Sequence, residues 1–135
     1  MQQWLWFTFL HFEPSVTKLC LWRFGDGERG NNWATYNAEE ETKAEKELKR
    51  WFEYLDGELQ RGKWLAGTDK LSLADLAVCG QLYTGFTLYI DKGMRDEYPR
   101  LVAYYERLLE ELGEAKHLYD LEGKWLEVRK PRPAE

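Results

Sequence analysis

The chain has two histidines, and one of them, His11, is set in a run of rings, Trp4-Leu5-Trp6-Phe7-Thr8-Phe9-Leu10-His11-Phe12. An imidazole changes charge near neutral pH, so in apolar surroundings it can take a proton from a bound molecule or give one. The nearest carboxylate in sequence is Glu13, and the next along the chain is Asp26, in a glycine-rich stretch. These three are the candidate acid and base catalysts. Trp4, Phe7 and Phe12 would supply ring surface to an apolar ligand, and Tyr36 and Tyr83 hydroxyls for its oxygens. Residues two apart in a helix do not share a face, so His11 and Glu13 act together only if the helix breaks at Pro14 and redirects Glu13. The plain alternative makes His11 a satisfied core or interface histidine without a titrating task. His117, beside Tyr119, reads as structural.

Other chemistries find no support. The sequence contains no serine nucleophile elbow, no phosphate-cradling glycine loop, no HExxH and no dinucleotide fingerprint. Cys20 and Cys79 match no metal-ligand spacing and read as reduced, buried thiols. No cofactor and no metal are expected. The net charge of −5 argues against a nucleic-acid binder, because neutralising phosphates needs an excess of Lys and Arg. No apolar run reaches membrane-spanning length and no signal-peptide pattern is present, so a soluble, cytoplasmic protein is expected.

The elements that must position these residues are helical. Residues 2–12 are apolar around most of a helix circumference and need cover on more than one side. Glu13-Pro14 interrupts them, and Val16, Leu19, Cys20, Trp22 and Phe24 continue as a second piece. Gly25 to Asn32 reads as a loop. Asn37 caps a helix running to about Arg61, with Leu48, Trp51, Phe52, Leu55 and Leu59 on one face. Ser72 and Asp75 then form a capping box, with Asp in place of the usual Glu, ahead of an apolar helix from Leu73 to about Ile90. Gly80 and Gly85 inside that helix cost about 1 kcal/mol each relative to Ala, which points to close packing of another helix or to room for a ligand. Pro99 opens a further helix that ends at Gly113, and Ala115 to Tyr119 reads as one more turn. The fold class is therefore all-α, a bundle of about five helices. The domain covers residues 1–120, and 121–135 form a charged, proline-bearing tail, expected to be mobile with Trp125 loosely docked.

Leu65-Ala66-Gly67 followed by Leu71-Ser72-Leu73-Ala74-Asp75 resembles the capping motif of the central helix in the C-terminal, all-helical half of glutathione transferases. Gln3-Trp4 at the start, Ala44 to Leu59, and Tyr98-Pro99-Arg100-Leu101 extend the resemblance over about 120 residues, and Gly113-Glu114-Ala115-Lys116 is similar to a segment of the gamma subunit of translation elongation factor 1. The resemblance implies a helical bundle in which the first and central helices line an apolar pocket. The thioredoxin-like half, which carries the glutathione site and its activating residue in that family, is not matched, so glutathione chemistry is not carried over. Where the gamma-like branch has small or polar residues after Gln-Trp, this chain has Leu5-Trp6-Phe7. Three readings stay open. The first is a stand-alone module whose aromatic cleft binds an apolar, ring-containing small molecule, with cofactor-free isomerisation, cyclisation or dehydration as its candidate chemistry. The second is a gamma-like module that holds a protein partner without catalysis. The third is an excised or engineered half-transferase with no activity. A homodimer is compatible with all three.

Overall fold

Ser72 and Asp75 start the helix around which the others are arranged. In the computed structural model, which describes residues 2–23, 37–67, 69–119, 121 and 124–129, the Ser72 Oγ accepts from the Asp75 N–H while the Asp75 carboxylate accepts from the Ser72 N–H. The elements are α1 (Gln2–Phe7), a π-helical turn (Thr8–Phe12), α2 (Glu13–Arg23), α3 (Ala38–Leu59), α4 (Leu73–Leu88), α5 (Lys92–Asp96) and α6 (Pro99–Leu112). Short 3₁₀ turns occupy Leu65–Gly67 and Gly113–Leu118. With α1, the π turn and α2 taken as one continuous run, the architecture is an all-α bundle of five helices, without strands among the described residues.

The central helix α4 is apolar all round and is packed by α1, α2 and α6, with Ala74, Val78, Cys79, Leu82 and Phe86 buried. Around it, α3 turns Ala44, Leu48, Phe52, Leu55 and Leu59 inward, and α6 does the same with Leu101, Tyr104, Tyr105 and Leu108. The Asn37 side chain accepts from the Glu40 N–H at 3.0 Å, so the predicted cap of α3 is made. Gly113 takes φ +57°, a backbone conformation that ends α6 and that glycine adopts at little cost. A Cβ at Gly85 would stand 2.6 Å from Ile90 Cδ1, whereas one at Gly80 would meet nothing within 4 Å. Close packing thus explains only the second glycine, and Ile90 against which it packs lies beyond the end of the helix.

Two expectations are revised. Pro14 does not break the helix. In a regular α-helix its ring would collide with the carbonyl four residues back, and it has no N–H to donate. The preceding turn widens instead, so that the Glu13 N–H reaches the Thr8 carbonyl, five residues back, and the Ser15 hydroxyl donates to the His11 carbonyl at 2.8 Å. The described part of the tail is also held firmly rather than loosely. The Trp125 ring lies 5.1 Å from Phe86 and 6.0 Å from Tyr105, with the Arg95 guanidinium 4.9 Å from its centre. The Leu126 N–H donates to the carbonyl of Phe86 in the last turn of α4. Arg129 pairs with Glu45 at 3.2 Å and Asp91 at 3.3 Å, partners far away in the chain that sequence reading does not connect. No helix among the described residues is long and apolar enough to cross a membrane.

Candidate functional site

Only one side of α1 faces the bundle. Trp4, Phe7, Thr8 and Phe12 are buried, while Trp6, Phe9 and Leu10 keep 57%, 56% and 58% of their surface exposed. Burying a large apolar side chain contributes about 1.5–3 kcal/mol, so three left open on two helical turns mark a surface with more to it than solvent contact. Between this surface and α3 runs an open groove of about 320 Å³, lined by Gln3, Trp6, Phe7, Leu10, His11, Trp51 and Tyr54. A second, smaller groove of about 270 Å³, lined by Gln2, Leu5, Trp6 and Phe9, lies across the Trp6 indole.

The π turn places His11 at this groove, its ring centre 5.0 Å from that of Trp51 and 6.4 Å from that of Phe7. Widened turns of this kind recur at functional sites because they redirect side chains out of regular helical register. The rings interlock beneath. Tyr54 stacks on Trp4 at 5.3 Å, and Phe7 meets the edges of Trp51 and Tyr54 at 5.4 Å each. Such pairs fix ring orientation beyond what burial alone would do. The Arg50 guanidinium lies 4.8 Å from the Trp51 ring centre.

The sequence candidates separate accordingly. His11 and Phe7 line the groove, and Trp4 supports it from beneath through Tyr54. Phe12 is fully buried against Phe7 and Phe52, so it belongs to the core. Glu13, as the first residue of an unbroken α2, makes no hydrogen bond or ion pair with His11 and does not line the groove. Tyr83 sits on α4 with its ring 5.9 Å from Tyr119, outside the groove. Asp26, Tyr36 and the Gly25–Asn32 stretch lie outside the described residues. Sequence reading missed Gln3, Trp6, Leu10, Trp51 and Tyr54 as lining residues. Trp51 and Tyr54 are three apart on α3, the spacing of one helical face, so a signal was present for that pair.

Neither cysteine is a nucleophile candidate, since burial pushes both thiols up to about 12. Among the described residues no three His, Cys, Asp or Glu side chains gather as a metal site. The groove can therefore offer ring surface, an imidazole, a phenol and an amide, enough to hold a flat apolar molecule and exchange a proton with it.

Comparison with known proteins places this architecture in a family. Residues 3–111 match the model of the glutathione S-transferase C-terminal domain. Over 110 residues the chain is 34% identical to the glutathione S-transferase-like protein FUS3 of Gibberella fujikuroi, covering 82% of this chain and 49% of that protein. It is likewise 34% identical to the glutathione S-transferase-like protein LUC7 of a Fusarium species, covering 82% and 47%. A glutathione S-transferase-like protein of Aspergillus aculeatus is 30% identical over 111 residues, covering 81% and 48%. The chain spans about half the length of these relatives. From the capping box of α4 through the proline-led start of α6, fold and sequence agree that the chain belongs to the glutathione S-transferase C-terminal domain family.

Proposed function

We propose that this domain binds an apolar, ring-containing small molecule in the groove between α1 and α3, and that His11 serves there as general acid or base in a cofactor-free isomerisation, cyclisation or dehydration. The observation that carries the reading is the pairing of an open, ring-lined groove with an imidazole that a π turn presents to it. Positioned proton transfer of this kind contributes about 10²–10⁴-fold to a rate, which suits reactions that need no redox or group-transfer partner. The proposal does not extend to glutathione transfer, the activity suggested by the names of the relatives, of which this chain covers half.

A thermal-shift screen of neutral bicyclic aromatics tests the binding. A ligand at a hundredfold excess over its dissociation constant adds about 2.7 kcal/mol, a shift on the order of 10 °C for a domain of this size. Trp6→Ala should abolish the shift, and His11→Gln should keep binding but remove any turnover. If no ring compound stabilises the domain, the groove has no such ligand. The exposed Trp6, Phe9 and Leu10 also support a second reading, an apolar patch that docks a protein partner as an elongation factor 1 gamma-like module would. Co-purification of one stoichiometric partner, together with a failed ligand screen, would favour it.

A further inference from the structure

The end of α4 and the start of α5 present two main-chain groups without helical partners. The Ile90 N–H, which a continuing helix would give to the Phe86 carbonyl, donates to the Gly85 carbonyl at 2.7 Å instead. Lys92 is the first residue of α5, so its N–H has no acceptor within that helix. Residues 124–129 answer both groups: the Leu126 N–H donates to the Phe86 carbonyl at 2.9 Å, and the Lys92 N–H donates to the Glu127 carbonyl at 3.2 Å. Between these bonds the Arg95 guanidinium donates to the Leu126 carbonyl. Main-chain bonds of this kind hold a peptide whatever its side chains, and flanking seats choose the side chains. Trp125 fills one seat, against Phe86, Tyr105 and Arg95. Four residues on, Arg129 enters the other, between Glu45 and Asp91 and over the Tyr89 ring. Among the described residues from 121 to 129 only Leu121 is fully buried, while Lys124, Glu127 and Val128 are exposed.

We infer that the corner between α4 and α5 is a docking site for a peptide segment bearing an aromatic residue and, four positions later, an arginine, and that the chain's own residues 124–129 occupy it as a displaceable strap. The site shares no residue with the groove between α1 and α3, so the inference stands apart from the ligand-binding reading above. A strap tethered this closely acts at an effective concentration on the order of millimolar, which keeps weak competitors out and makes the site self-inhibited. Its contacts are specific, yet Leu121 stays in the core when residues 124–129 leave, so the strap opens locally while the bundle holds. Another chain's segment with the same two anchors then finds the Phe86 carbonyl, the Lys92 N–H and both seats free.

A fluorescein-labelled peptide of the strap sequence, Lys-Trp-Leu-Glu-Val-Arg, titrated with the full chain and read by anisotropy, tests this. The double variant Trp125→Ala/Arg129→Ala, whose strap has lost both anchors, should bind the peptide at least about tenfold more tightly than the wild-type chain. Adding Glu45→Gln to that variant should weaken binding about fivefold, and a control peptide with alanine at both anchors should not bind. Hydrogen exchange on the wild-type chain gives a second readout that does not depend on the variants folding. The Leu126 and Lys92 amides should exchange at least about a hundredfold faster than the Leu82 amide of α4. No peptide binding by a folded double variant, equal binding by wild type and variant, or binding of the control peptide would overturn the inference. Exchange at Leu126 as slow as at Leu82 would overturn it as well, since the strap would then open only with the whole fold.

Discussion

Removing the Asp75 carboxylate should do as much damage as truncating a large buried apolar side chain of the bundle. Its Oδ1 accepts from the Leu65 N–H at 3.0 Å and the Tyr104 hydroxyl at 2.6 Å, and its Oδ2 accepts from the Ser72 N–H and the Ser72 hydroxyl at 2.8 Å each. The residue is fully buried, so Asp75→Ala takes away the acceptor that the Ser72 N–H, the Ser72 hydroxyl and the Tyr104 O–H share. Each buried donor left unpaired costs about 1–3 kcal/mol, and partial entry of water holds the sum to about 3–5 kcal/mol. Against a total stability of about 5–15 kcal/mol this leaves a marginal fold. Asp75→Asn keeps an acceptor at Oδ1 but sets an amide nitrogen against the Ser72 N–H, for a loss of about 1–3 kcal/mol. Urea unfolding followed by tryptophan fluorescence and circular dichroism reads these changes as midpoint shifts, about 2 M for the alanine variant at a slope of about 2 kcal/mol/M. Tyr104→Phe should cost about 1 kcal/mol alone and much less in the D75A background, where its partner is already gone. Two results would refute the reasoning: a D75A midpoint within experimental scatter of wild type, or a Tyr104→Phe cost that is the same in both backgrounds.

Two further predictions follow from the same packing. Gly80→Ala should stabilise the domain by up to about 1 kcal/mol, because α4 gains helix propensity in open space, while Gly85→Ala should destabilise it by about 1 kcal/mol or more through the Ile90 contact, both read by thermal unfolding. Burial raises the Glu45 carboxyl and the Asp91 carboxyl, but hydrogen bonds and the charge of Arg129, with Tyr89 and Lys49 at Glu45 and the Met94 N–H at Asp91, leave both below their ordinary values. Groups lowered on folding contribute stability above their unfolded values, near pH 4, and lose it as pH falls through the folded values. Arg129→Gln should therefore lower the unfolding midpoint most at pH 7, with the gap to wild type closing below about pH 4. A gap that does not change with pH would show that Arg129 acts through packing on Tyr89 alone, whose ring it covers at 4.6 Å.

What could be read from sequence was local. Ser72 and Asp75, Asn37, Pro99 and Gly113 are punctuation whose effect stays within a few residues, and each helix boundary they imply is found within a turn of its expected place. Pro14 was misread because its cost depends on how the preceding turn responds, and a π turn absorbs a proline without ending the helix. The tail was misread for a different reason. Arg129 and Trp125 have no partner evident in the sequence until Glu45, Asp91, Phe86 and Arg95 are brought beside them by the packing of α3, α4 and α5. At the groove, the aromatic run and His11 were visible, but which rings would open outward was not. The 3.6-residue repeat of a helix with apolar residues on all sides gives no preferred face, so only the packing of α3 and α4 against it decides that Trp6 and Leu10 stay exposed while Trp4 and Phe7 are covered.

The central claim is that the ring-lined face between α1 and α3 is a ligand site, and a heteronuclear NMR titration with 2-naphthamide tests it most directly. Saturable shifts concentrated on the side chains of Gln3, Trp6, Leu10, His11, Trp51 and Tyr54, and absent from Trp125 and Tyr83, are predicted. Shifts centred elsewhere, or none at concentrations that saturate ordinary apolar sites, would contradict it.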